Sequence, residues 1–196
     1  MAYVQTGTTE QQRKALELKS EFNHNVAAVR ASTTLNDVGK REAIQSYYDR
    51  AAAALANLDA EETRTTADRK RRLERDLFGL TGTADSSTAI SYRDAQDRVA
   101  AIDSKNQHEA VRLLTQAERS GDTHLAKAVA LRAFEEGWVD VLNTYADAHP
   151  GTETKIQQLL DMQPASSSVA LAGIFGAAMT YELPRPVELG RGPFAA

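Results

Sequence analysis

The chain has 196 residues, 42% hydrophobic, 26% charged and only 6% aromatic, with a formal net charge of −4 and no cysteine. That balance fits one ordinary globular domain, alone or with a helical extension, and argues against a disordered chain. It excludes disulfides, thiolate catalysis and cysteine-based metal sites, and it offers no overall positive field for nucleic acid.

The acidity belongs to the second half, because acids and bases nearly balance over residues 1–78. The first residues, MAYVQTGTTEQQRK, show no basic segment followed by an apolar one, which argues against a secretory signal. Thr8 and Thr9 precede Gln11 and Gln12 by three residues each, the capping-box spacing that opens a helix. Leu18, Phe22, Val26 and Val29 then form one helical stripe. Ser32–Asp37 breaks it, with Asn36 or Asp37 as the next N-cap.

The second helix carries an a/d seam, Ile44, Tyr48, Ala51, Leu55 and Leu58, in which the alanines let a partner helix come close. Two such helices joined by a short polar turn make an antiparallel hairpin, although the same seam could serve an intermolecular coiled coil. Extending the seam would bury Glu62, Thr65, Arg69 and Arg72, whereas the next apolar set is Leu73, Leu77 and Leu80. Asp59–Arg72 is therefore either an exposed helical bridge or a break. Gly79 and TGTADSST at Thr81–Thr88 read as a linker.

Beyond the linker, Ser91 and Asp94 open a helix with the face Tyr92, Ala95, Val99 and Ile102, and Asp103–Asn106 is a turn. Ala110, Leu114 and Ala117 mark a helix ended by Ser120–Gly121, and Asp122 or Thr123 caps the next. Leu125–Phe134 is apolar on most sides, the pattern of a central buried helix. Gly137 interrupts it. Trp138, Val141, Leu142 and Tyr145 line the following helix, His149-Pro150-Gly151 stops that one, and Ile156, Leu159 and Leu160 mark a short last helix. The predicted architecture is all-α: a hairpin with its extension over 1–80, a linker at 81–90, a compact bundle of short helices with helix-repeat-like geometry over 91–163, and an extended arm over 164–196.

The arm has its own chemistry. No residue between Gln163 and Tyr181 is charged, and Val169–Met179 is apolar but too short for a spanning helix, which needs about 20 residues. Pro184 and Pro186 then impose an extended path. Leu171, Ile174, Phe175, Leu183, Pro184, Pro186, Val187 and Phe194 are the expected partner-binding residues, docking on this chain's own surface or a neighbour's. Glu182, Arg185, Glu188 and Arg191 alternate in sign, so shape is expected to set specificity more than net charge. Removing residues 165–196 is expected to leave the helices intact and abolish assembly.

Catalytic patterns are absent from the sequence. His24, His108, His124 and His149 form no HExxH and no i,i+4 pair with one another, and consecutive acids such as Glu61-Glu62 and Glu135-Glu136 point to different sides of a helix. There is no GxSxG, P-loop, GxGxxG or EF-hand loop. Arg69–Arg72, RKRR, is the one basic run, yet it reads as a self-paired helix face through Asp68–Arg72, Lys70–Glu74 and Arg72–Asp76. No catalytic, cofactor-binding or metal-binding residues are expected, and neither a nucleic-acid nor a membrane partner.

The stretch LLTQAERSGDTHLAKAVALRAFEEGWVDVLNTYADAHPG (Leu113–Gly151) resembles Ala/Arg-rich helical proteins from structural-gene clusters of actinobacterial phages and prophages. The lysine-poor, cysteine-free style of the whole chain is similar to theirs. The resemblance rests on packing residues and implies a role in virion architecture or head assembly, in the host cytoplasm and the virion, through self-association or contact with other virion proteins. The leading expectation is thus a non-enzymatic structural protein. A helical module for a cellular protein or nucleic acid is the second reading, and an enzyme without a recognisable motif the third.

Overall fold

The computed structural model describes residues 9–80, 86–163 and 179–190. Seven α-helices are present among them: α1 (Glu10–Ala31), α2 (Asp37–Phe78), α3 (Ser86–Ala100), α4 (Gln107–Ser120), α5 (Thr123–Glu136), α6 (Val139–Ala148) and α7 (Glu153–Asp161). A helical turn at 179–181 and a 3₁₀ turn at Val187–Leu189 follow, and no strand occurs among the described residues. The protein is all-α. It divides into two compact units, residues 1–65 with 164–196, and residues 66–163.

The first unit is an antiparallel hairpin of α1 and the leading part of α2. Thr9 and Gln12 form the capping box that the sequence predicts, each side chain accepting the other's backbone N–H at 3.1 Å. Asn36 caps α2 through Gly39 N–H at 2.8 Å, which settles the choice between Asn36 and Asp37. Lys40 Nζ donates to the Arg30 carbonyl at 3.0 Å and places a cation at the negative end of α1. Phe22, Val26, Ile44 and Ala51 form the core, with Phe22 edge-on to Tyr48 at 6.3 Å, and Ala15 and Leu55 are also buried.

Helix α2 does not break at Asp59–Arg72; it runs on to Phe78. The shift of its apolar register marks the place where it leaves one unit and enters the other, since Leu73, Leu77 and Phe78 belong to the second core. In the second unit α5 is central, packed by α3, α4 and α6, with Leu125, Ala126, Ala128, Val129, Ala130, Ala133 and Phe134 buried. Gly121 and Gly137 close α4 and α5 in the left-handed region (φ 69° and 72°), where only glycine is free of strain, so the next helix starts within two residues.

The C-terminal end of α2 is fastened by side chains from three other helices. Tyr145 donates to the Leu77 carbonyl at 3.3 Å, Tyr92 to Phe78 at 2.8 Å and Lys127 to Gly79 at 2.9 Å. These are carbonyls that the helix leaves without an internal donor. Burial pushes the Tyr145 hydroxyl up to about 12, which keeps it a donor at any physiological pH.

Two expectations change. Helix α3 begins at Ser86, so only residues 81–85 of the expected 81–90 linker fall outside a described helix. The arm is not independent of the fold, because Leu183 and Leu189 pack on the hairpin core and Pro186 is buried. Removing it would expose that core, so the hairpin should loosen rather than stay intact.

Val129 is fully buried at the centre of α5. Val129→Lys is expected to abolish cooperative unfolding as read by fluorescence of Trp138, the chain's single tryptophan and part of the same core, since loss of a buried aliphatic alone costs ~2–5 kcal/mol. Leu55→Asp should lower the thermal midpoint followed by circular dichroism in the same way.

Candidate functional site

The described part of the arm, residues 179–190, lies across the hairpin as a strap, and its polar contacts converge on a few positions. The first is Glu62, half-buried at the next place in the α2 seam after Leu58. Its Oε1 accepts from the Thr9 hydroxyl at 2.6 Å and from Gln12 Nε2 at 3.2 Å, and its Oε2 from the Tyr181 hydroxyl at 2.5 Å. Burial and the Glu62 carboxylate together push the tyrosine's pKa up, so the phenol stays protonated and donating. One carboxylate thereby joins the start of α1, the middle of α2 and the strap.

Lys19 Nζ donates to the Met179 carbonyl at 2.7 Å. Arg185 lies 5.4 Å over the Tyr48 ring and donates to the Gly190 carbonyl at 3.2 Å, tying the 3₁₀ turn to the hairpin. At the far end Arg30 grips Glu188 through two bonds, Nε to Oε1 at 2.6 Å and Nη2 to Oε2 at 2.9 Å. The guanidinium, assisted by a backbone N–H, lowers the Glu188 carboxyl to about 2.

Of the eight residues expected to bind a partner, Leu183 packs on the hairpin core, Pro186 is buried, and Pro184 and Val187 face outward, Val187 being 84% exposed. Leu171, Ile174, Phe175 and Phe194 lie outside the described residues. The strap's docking surface within this stretch is the chain's own hairpin. Tyr181, Glu188 and Leu189, with Glu62, Arg30 and Lys19 opposite, are contacts that sequence reasoning missed. The one available signal was a glutamate at the seam position where an aliphatic was due.

The other polar candidates disperse. His24 and His108 are exposed, while His149 stacks on Tyr145 at 4.3 Å and contacts Glu118 at 2.9 Å. In the basic run Lys70 pairs with Glu74 at 3.7 Å, whereas Asp68 takes Arg71 and Asp76 takes Lys155 rather than Arg72. No group of three or more His, Cys, Asp or Glu side chains among the described residues could hold a metal ion. No helix among them is long and apolar enough to cross a membrane. Comparison with protein-family models, curated proteins and solved structures finds no match.

The Glu188 carboxyl titrates lower in the folded chain than the ordinary 4.5, so its contribution is complete above about pH 4.5 and fades as the pH falls toward 2. The difference in thermal midpoint between the parent chain and Glu188→Gln should therefore be constant from pH 7 to 5 and shrink toward zero near pH 2. A difference independent of pH would show that the pair does not hold the strap.

Proposed function

We propose that the chain is a non-enzymatic structural or assembly protein that acts through helix contacts and its C-terminal segment, as a component of a phage particle or of its head assembly. The observation that carries this reading is the strap itself. The side chains of Tyr181, Arg185 and Glu188 and the Met179 carbonyl are spent on holding one conformation against the hairpin, through Glu62, the Tyr48 ring, Arg30 and Lys19. Pro184 and Val187 are left facing outward on a segment whose shape is already fixed. A pre-ordered apolar edge loses little entropy on binding, which favours contact with another protein surface. The particle context comes from the helical pattern at Leu113–Gly151 and from the chain's alanine-rich, cysteine-free composition.

The test is fractionation of a lysate from a host in which the phage is assembling. The chain should co-sediment with particles or head precursors on a density gradient. Val187→Asp should lower the particle-bound share several-fold while leaving helix content unchanged, because Val187 supports no packing of its own. A chain found wholly outside particle fractions throughout assembly would overturn the reading.

A further inference from the structure

The strap covers only one flank of the hairpin. It lies beside Tyr48, Ala52, Ala56 and Asp59 of α2. These residues occupy one arc of the helix, and Tyr47, Ala54, Leu58 and Glu61 occupy the arc on the other side of the Ile44–Leu55 seam. On that second flank two adjoining concavities of about 230 and 470 Å³ share Leu18, Glu21 and Ala54 and make one continuous groove. Its floor is Leu18 and Phe22 from α1 with Ala51, Ala54 and Leu58 from α2. Nothing among the described residues lies over it. The alanines lower the floor enough for another helix to approach closely.

The charges along this groove select its occupant. Five charged side chains line it: Lys14 pairs with Glu10 and Glu17 with Arg13 on α1, whereas Arg50 at one end, Glu61 at the other, three turns away along α2, and Glu21 between them form no ion pair among the described residues. Arg50 instead leans over the Tyr47 ring at 4.9 Å. A second copy of the same groove, turned end for end, sets each Arg50 against the other copy's Glu61 around a two-fold axis passing between Ala54 and Asn57. The parallel alignment would set Arg50 against Arg50. Self-complementarity of this kind is what a two-fold interface requires.

We propose that the α1–α2 groove is a self-association face, on which two hairpins pair antiparallel into a four-helix bundle. The inference deepens the assembly reading above by naming a second copy of this chain as the partner of the hairpin.

Because the chain has no cysteine, a single one reports the contact cleanly. In the full-length protein Ala54→Cys should form a disulfide-linked homodimer under mild oxidation, while Ala53→Cys, exposed and facing away from α1, should not. Light scattering should give a dimer for the parent chain. Arg50→Glu should weaken dimerisation about tenfold or more, and Arg50→Glu with Glu61→Arg should restore it. A monomer at high concentration would overturn the proposal, whether the thiol of the Ala54→Cys variant is freely alkylated, meaning an open groove, or protected, meaning that another segment of the same chain fills it. So would a dimer indifferent to Arg50→Glu, or one that the charge exchange does not restore. A monomer that still co-sediments with particles would overturn this inference alone, whereas a dimer absent from particles would overturn only the assembly reading.

Discussion

Glu62 stands where the α2 seam would otherwise place an aliphatic side chain. A half-buried carboxylate costs free energy unless its oxygens are supplied with donors. Here three donors from two distant parts of the sequence supply them: Thr9 and Gln12, which open α1, and Tyr181, which opens the strap. The same Thr9 and Gln12 side chains also cap α1, so helix start, hairpin register and strap position are set by one cluster. If Glu62 were a leucine, the seam would extend by one turn and the Tyr181 end of the strap would lose its tie to the start of α1, leaving Lys19–Met179, Arg30–Glu188 and the Arg185–Tyr48 contact to hold residues 179–190. The apolar contacts of Leu183 and Leu189 add attraction but little direction; the hydrogen bonds give the geometry.

A similar economy operates in the second unit. Its core is built mainly from alanine and leucine around α5, with the Phe78 ring set against Phe134 and Tyr145 at 6.1 and 6.5 Å. Orientation comes from polar groups at helix ends. Tyr145, Tyr92 and Lys127 take the last carbonyls of α2, Trp138 donates to Ser104 at 2.9 Å, and Gln163 donates to Phe134 at 2.8 Å. Each is a side chain from one element closing the backbone of another.

What the sequence made legible follows from how far each signal reaches along the chain. Capping boxes, apolar stripes and terminal glycines act within a few residues, and Thr9, Phe22, Val99, Gly121 and Val129 sit as expected. The start of α3 was not legible because its first turns bury nothing, and Ile90 is 69% exposed, so no periodicity betrays them. The passage of α2 from one unit to the other appeared only as a register shift, which fits a break as well as a continuous helix. The strap was legible as apolar and proline-bearing, but not its address. Arg30–Glu188 and Glu62–Tyr181 join residues more than a hundred positions apart, and no local pattern encodes such a pairing. Half of the residues read as a binding surface lie outside the described segments. Of the rest, Leu183 and Pro186 turn inward and Pro184 and Val187 outward, a division that only the folded path could decide.

The most direct test of this account is a double-mutant cycle on Glu62 and Tyr181, with Glu62→Ala, Tyr181→Phe and the double variant compared by equilibrium unfolding. A hydrogen bond that positions the strap should give a coupling of about 1 kcal/mol or more, so that the second substitution costs little once the first is made. Costs that simply add, within ~0.3–0.5 kcal/mol, would show that the two side chains act independently and that the strap is not held through Glu62.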